Sequence, residues 1–161
     1  MHVIGIDPGL ANTGWAVIHF KHGQVTLCDA GTICPRGTLP IHGKLHYIYQ
    51  TLNTTANRFT INCAAIENVF VNTNPKSSMF LCYARSAAMI ALMNNNVEIF
   101  EYQPTTVKRR VFGSGHADKA QIAYVVNSTL RLPNDTKHSL HVTDAISIAL
   151  CHVYSTKSVL F

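Results

Sequence analysis

The chain predicts an α/β layered domain: a five-stranded mixed sheet, three antiparallel N-terminal strands and then two parallel ones, flanked by helices. Two observations carry this. Three short runs of strand character, closely spaced and separated by turn signals, open the chain, and after them the apolar period switches to that of helices alternating with single buried strands. Alternation of this kind is the mark of a layered α/β domain.

The first run, residues 3–6, is apolar throughout and ends at Asp7. Pro8-Gly9 and the stretch 11–14 make a turn into a second run, 15–20, and His22-Gly23 turns the chain into a third strand over 24–34. This is an antiparallel meander in which the first strand is expected to be central. Between 39 and 59, Ile41, Leu45, Ile48, Leu52 and Phe59 recur at helical spacing. Residues 63–66 form a buried strand ending in Glu67, and Asn74-Pro75 supplies an N-cap and first residue for a helix to about residue 95. A fifth strand is expected over 97–101. Pro104 opens a short helix carrying Lys108, Arg109 and Arg110, and a glycine-rich loop, 113–116, leads to a helix over 117–130. After the break at Pro133-Asn134-Asp135, a last helix over 139–154 buries Val142, Ala145, Ile146, Ile148, Ala149 and Val153.

The 161 residues are expected to form one domain over 1–161, large enough to fold without disulfides or a structural metal. Charged residues are 13% of the chain against a typical ~25%, which excludes a disordered basic tail. No apolar stretch approaches the ~18 residues of a membrane span, and the first residues lack the basic start of a secretion signal, so a cytoplasmic protein is expected. Cys28, Cys34, Cys63, Cys82 and Cys151 include no C-x-x-C pair, and most are expected to be buried as small apolar residues. Thirteen Lys and Arg against eight Asp and Glu permit a polyanionic partner.

With so few acids, their placement is informative. Asp7 ends the first strand, Glu67 the fourth, and Asp144 lies one helical turn beyond His141. A carboxylate in an apolar strand is costly to bury unless paired, hydrogen-bonded or metal-bound. If the first and fourth strands are neighbours, both carboxylates emerge at one sheet edge, and the i, i+3 pair His141 and Asp144 shares a helix face able to cross it. Such a cluster suits Mg²⁺ or Mn²⁺, and two such ions would serve phosphodiester hydrolysis.

Three motifs in order, Gly5-Ile6-Asp7-Pro8-Gly9-Leu10 with Thr13-Gly14, Ala65-Ile66-Glu67-Asn68-Val69-Phe70, and Asp144 through His152, resemble those of the RuvC-type Holliday junction resolvases of the ribonuclease H-like superfamily. Phe100-Glu101-Tyr102, Val107-Lys108 and the segment 113–121 resemble further family positions. The resemblance implies a ribonuclease H-like fold and metal-dependent hydrolysis at symmetric positions in a four-way DNA junction. By motif match, Asp7, Glu67 and Asp144 would be catalytic metal ligands, and His141 stands where many members carry an aspartate. An imidazole there must be deprotonated to ligate.

Lys108 and Lys119 match basic positions beside the family's active site, and Phe70 matches an aromatic able to stack on an unpaired base at the junction centre. Arg109, Arg110 and Arg131 are weaker candidates, while Arg85 matches a family arginine and is expected to be a surface or dimer contact. Two symmetric cuts imply a C2 homodimer, and the resemblance implies cooperation with a branch-migration complex. The helix after Asn74 could supply the interface through Ala84, Ala87, Ala88 and Ala91, or turn these residues to its own sheet. Another branched or hybrid substrate, or a non-catalytic junction-binding module, stays open at this point.

Overall fold

A computed structural model describes residues 1–68, 75–113, 118–133 and 135–157, apart from the side chains of Lys119 and Lys157. Among the described residues, β1 (His2–Asp7), β2 (Thr13–Lys21), β3 (Gln24–Ile33), β4 (Cys63–Glu67) and β5 (Glu98–Tyr102) form one sheet in the order β3-β2-β1-β4-β5. The first three strands are antiparallel, and β4 and β5 run parallel to β1. The expected meander and the central first strand are both present.

The apolar runs follow from burial on both faces. Val3 and Ala65 pack against α3 (Pro104–Phe112), α4 (Lys119–Leu130) and α5 (Leu140–Lys157), while Ile4, Ile6, Ala64 and Ile66 pack against α1 (Ile41–Arg58) and α2 (Pro75–Met93). The two-residue strand period thus feeds two cores, and no polar position is needed in the middle of the central strand. The pairing of β2 with β3 slips between Val17 and Ile18 of β2, leaving Cys28 of β3 as the extra residue of a bulge.

Two glycines let α5 lie close on the sheet. A Cβ on Gly5 would strike the Ala145 carbonyl oxygen and come within 2.9 Å of the Ala149 backbone nitrogen, and one on Gly14 would strike the His141 carbonyl. With α5 seated there, Ala145, Ile146, Ala149, Leu150 and Val153 are fully or almost fully buried. Farther along α5, His152 is 2% exposed, with Nδ1 2.8 Å from the Tyr102 hydroxyl and Nε2 3.2 Å from Cys63 Sγ. Burial lowers the His152 pKa, which suits a neutral ring with one donor and one acceptor nitrogen, and it pushes the Cys63 thiol up to about 11.

Several expectations need correction. Only Cys63 and Cys151 are buried; Cys28, Cys34 and Cys82 are exposed, because the bulge, a strand end and the outer side of α2 carry them outward. Ile41 is exposed at the first turn of α1, where the sheet no longer reaches it. Arg85 is half-buried: its side chain is 17% exposed and its guanidinium pairs with Glu101 of β5, tying α2 to the edge strand. In α2, Ala84, Ala88 and Ala91 face the protein's own sheet. The helix expected from residue 117 begins at Lys119, because Asp118 caps it; the Asp118 carboxylate accepts from the Gln121 backbone N–H at 2.8 Å while the Gln121 side chain accepts from the Asp118 N–H. The expected N-cap Asn74 and the glycine-rich positions 114–116 lie outside the described residues.

Candidate active site

Asp7 is the last residue of β1 and Glu67 the last of β4, and the two strands pair in parallel with Ile6 opposite Ile66. Both carboxylates therefore leave the sheet at the same edge and toward the same face, the one covered by α5. The loop after Asp7 is closed by Thr13, fully buried, whose hydroxyl donates to the Gly9 carbonyl at 2.7 Å and accepts from the Gly9 N–H at 3.2 Å. Gly9 has no room for a side chain, since a Cβ would strike the Asn12 carbonyl. This clasp fixes where the strand stops and so where Asp7 stands.

Across the edge, the start of α5 is held by Ser139. Its Oγ accepts from the Val142 N–H at 3.2 Å, and its carbonyl accepts from the Thr143 N–H at 3.0 Å. That places His141 against Asp7, with Nδ1 and Oδ2 2.9 Å apart; the histidine side chain is 39% exposed and the aspartate 16%. Burial raises the Asp7 carboxyl above the ordinary carboxylate range, and the hydrogen bond and charge of His141 oppose that rise. Asp144, one turn on, is exposed.

The strongest electrostatic signal is at Glu67. Burial first, then repulsion from Asp7 and Asp144, push its carboxyl up to about 7, with Lys108 pulling the other way. Three of the sequence candidates, Asp7, Asp144 and Lys108, are thus close enough to act on the charge of a fourth, Glu67, and His141 touches Asp7. Among the described residues, however, no three His, Cys, Asp or Glu side chains are arranged to hold an ion. The donor set itself, three carboxylates and an imidazole at one edge, fits a hard divalent cation.

Glu67, Lys108 and Asp144 line an open cleft of about 730 Å³, completed by Pro104, Asp118, Ile122 and Thr143, and by His138 and Leu140 from the stretch entering α5. Arg109, Arg110 and Arg131 are exposed outside this lining. Phe70 and the side chain of Lys119 lie outside the described residues. Sequence reasoning passed over His138, which no motif or apolar period marks, and over Asp118, whose Asp-x-x-Gln spacing was a readable cap.

The family profile described as crossover junction endodeoxyribonuclease RuvC matches residues 3–152. A RuvC of Anaplasma phagocytophilum (strain HZ) is 50% identical over 157 residues, covering 97% of this chain and 96% of the relative, and one of Ehrlichia canis (strain Jake) is 38% identical over 155 residues, covering 96% and 97%. The structure of Thermus thermophilus RuvC in complex with a Holliday junction substrate superposes with a TM-score of 0.91 at 27% identity, over 98% of this chain and 96% of that one. With the profile spanning most of the chain and relatives aligned nearly end to end, the chain belongs to the RuvC family of crossover junction endodeoxyribonucleases.

Proposed function

We propose that this protein is a metal-dependent endonuclease that resolves four-way DNA junctions by paired symmetric nicks, acting in the cytoplasm as a single 161-residue domain per subunit. The observation that carries the reading is the Glu67 carboxyl, raised to about 7 beside Asp7 and Asp144 on the wall of an open cleft. Two like charges, Asp7 and Asp144, act on this carboxyl, and Lys108 only partly offsets them. Asp7, Glu67, His141 and Asp144 would hold two Mg²⁺ or Mn²⁺ ions, which when bound supply an activated water and stabilise the attacking and leaving oxygens. The chain's own residues prepare that step. Thr13 and Ser139 hold the two ligand-bearing segments in place, Asp7 orients the His141 ring, and Lys108 offers its ammonium to the phosphates entering the cleft. Lys119 and Phe70 are assigned to the DNA on the motif match alone.

The test is a labelled mobile four-way junction beside linear duplex and an RNA:DNA hybrid, with Mg²⁺ or Mn²⁺. Paired symmetric nicks in the junction alone, absent in Asp7→Asn, are the expected result; an intact junction, or cleavage of the hybrid instead, would overturn the assignment.

Paired nicks call for two subunits, and the outer side of α2 supports a second copy as its occupant. Met79, Tyr83, Ile90 and Met93 are 40–62% exposed there, beside an apolar groove of about 350 Å³ between α1 and α2 lined by Leu45, Tyr49 and Ala87. Ile90→Glu is expected to shift the molar mass in sedimentation from dimer to monomer. Cuts on the two strands of a junction should then become independent of one another.

A further inference from the structure

We infer that His138 is a DNA-contacting residue of the same cleft, donating a hydrogen bond to a phosphate oxygen of the bound strand; this rests on the nuclease reading above. His138 lines the cleft together with Glu67, Lys108 and Asp144, yet its Nε2 is shielded from solvent and has no hydrogen-bond partner among the described residues. A buried nitrogen of this kind destabilises the free protein, and an apolar side chain of similar size would remove the cost. Its position is nonetheless built. The Asn127 amide donates to the Thr136 carbonyl at 3.0 Å on one side of it, and on the other Ser139 is fastened to α5 and stands 2.9 Å from the Thr32 hydroxyl. The backbone either side of His138 is pinned while the ring nitrogen Nε2 is left without a partner among the described residues.

The cleft walls say which acceptor. Besides His138 and Lys108 they carry the carboxylates of Glu67, Asp118 and Asp144, so an anionic strand entering needs donors to offset repulsion. Lys108 supplies one from α3, and His138 supplies another from a different element, the stretch before α5. The torsion that turns an imidazole about its Cβ–Cγ bond is soft, so the ring can present Nε2 to the cleft when a phosphate arrives. The role is substrate contact, distinct from the metal ligation assigned to His141 three residues on.

Two variants separate this from a purely structural role: His138→Leu, which removes the donor and fills the space, and His138→Gln, which keeps an N–H at about the reach of Nε2. Junction affinity is measured in EDTA, where no strand is cut, alongside single-turnover cleavage at saturating protein in Mg²⁺ and the melting temperature of the free protein. For His138→Leu the expectation is an affinity loss of about tenfold, cleavage at saturation within a few-fold of the parent, and a melting temperature no lower than the parent's. His138→Gln should recover part of the affinity. Unchanged affinity in His138→Leu, a loss that comes with a lower melting temperature, or a Gln variant as weak as Leu would overturn the assignment. If the parent protein neither binds nor cuts junctions, the nuclease reading itself fails, which the control lanes reveal before any variant is compared.

Discussion

Glu67→Gln is expected to abolish cleavage and, in the absence of divalent cations, to make the protein more stable at pH 8. The folded carboxyl titrates at about 7 against 4.5 for an unperturbed glutamate. Because the folded value is raised, the folded state holds the proton more tightly than the unfolded chain between these values. The stability this confers is complete below pH 4.5 and is lost as the pH rises through 7. The loss is roughly 3 kcal/mol for a shift of this size, or on the order of 5–10 °C in melting temperature. Glutamine is neutral throughout, so in EDTA the variant should melt above the parent at pH 8 and level with it near pH 4.5. Mg²⁺ should raise the parent's melting temperature much more than the variant's. Cleavage should fall by about 10³-fold or more, as expected when a ligand for charge-stabilising cations is removed. A melting difference independent of pH would mean that ionisation of Glu67 is not what costs the fold its stability.

This opposition between stability and activity also marks what could be read from the sequence. The antiparallel meander and the central β1 were legible in the apolar runs, and the meeting of Asp7 with Glu67 followed from where two of those runs met an acid, on the condition, met here, that β1 and β4 are neighbours. The His141–Asp7 contact was legible as a convergence of helix face and sheet edge, though not as a hydrogen bond. What stayed hidden depends on partners distant in sequence. Arg85 and Glu101 are sixteen positions apart with no local signal to join them. His138 is a lone histidine in a loop, and its missing partner exists only once α4 and α5 are packed. The outward turn of Cys28 comes from a bulge, a one-residue slip that β propensity does not encode. The two faces of α2 were ambiguous because small and large apolar residues occur on both of them.

Gly14→Ala should cost about two orders of magnitude in cleavage while leaving a folded protein. The added methyl has no space: it meets the carbonyl oxygen and carbon of His141 and lies 3.0 Å from that residue's Cβ. Those are backbone atoms of a helix, and they cannot turn aside as the tip of a flexible side chain can. The first turn of α5 must therefore lift from β2, taking His141 away from Asp7 and dragging Asp144 with it. Overpacking of this sort costs about 1–3 kcal/mol, which a domain of ordinary stability survives. The chemistry is less tolerant, since displacing a catalytic group by about 1 Å can cost about 10²-fold in rate. Gly37→Ala is the matched control, because a Cβ there meets nothing within 4 Å. Single-turnover cleavage of the four-way junction by the two variants, with their far-UV circular dichroism, measures the difference. Equal rates for Gly14→Ala and Gly37→Ala would show that the seat of α5 on the sheet does not set the geometry of the site. A slow Gly14→Ala with native dichroism would show that one missing methyl group holds His141 and Asp144 in register with the carboxylates of β1 and β4.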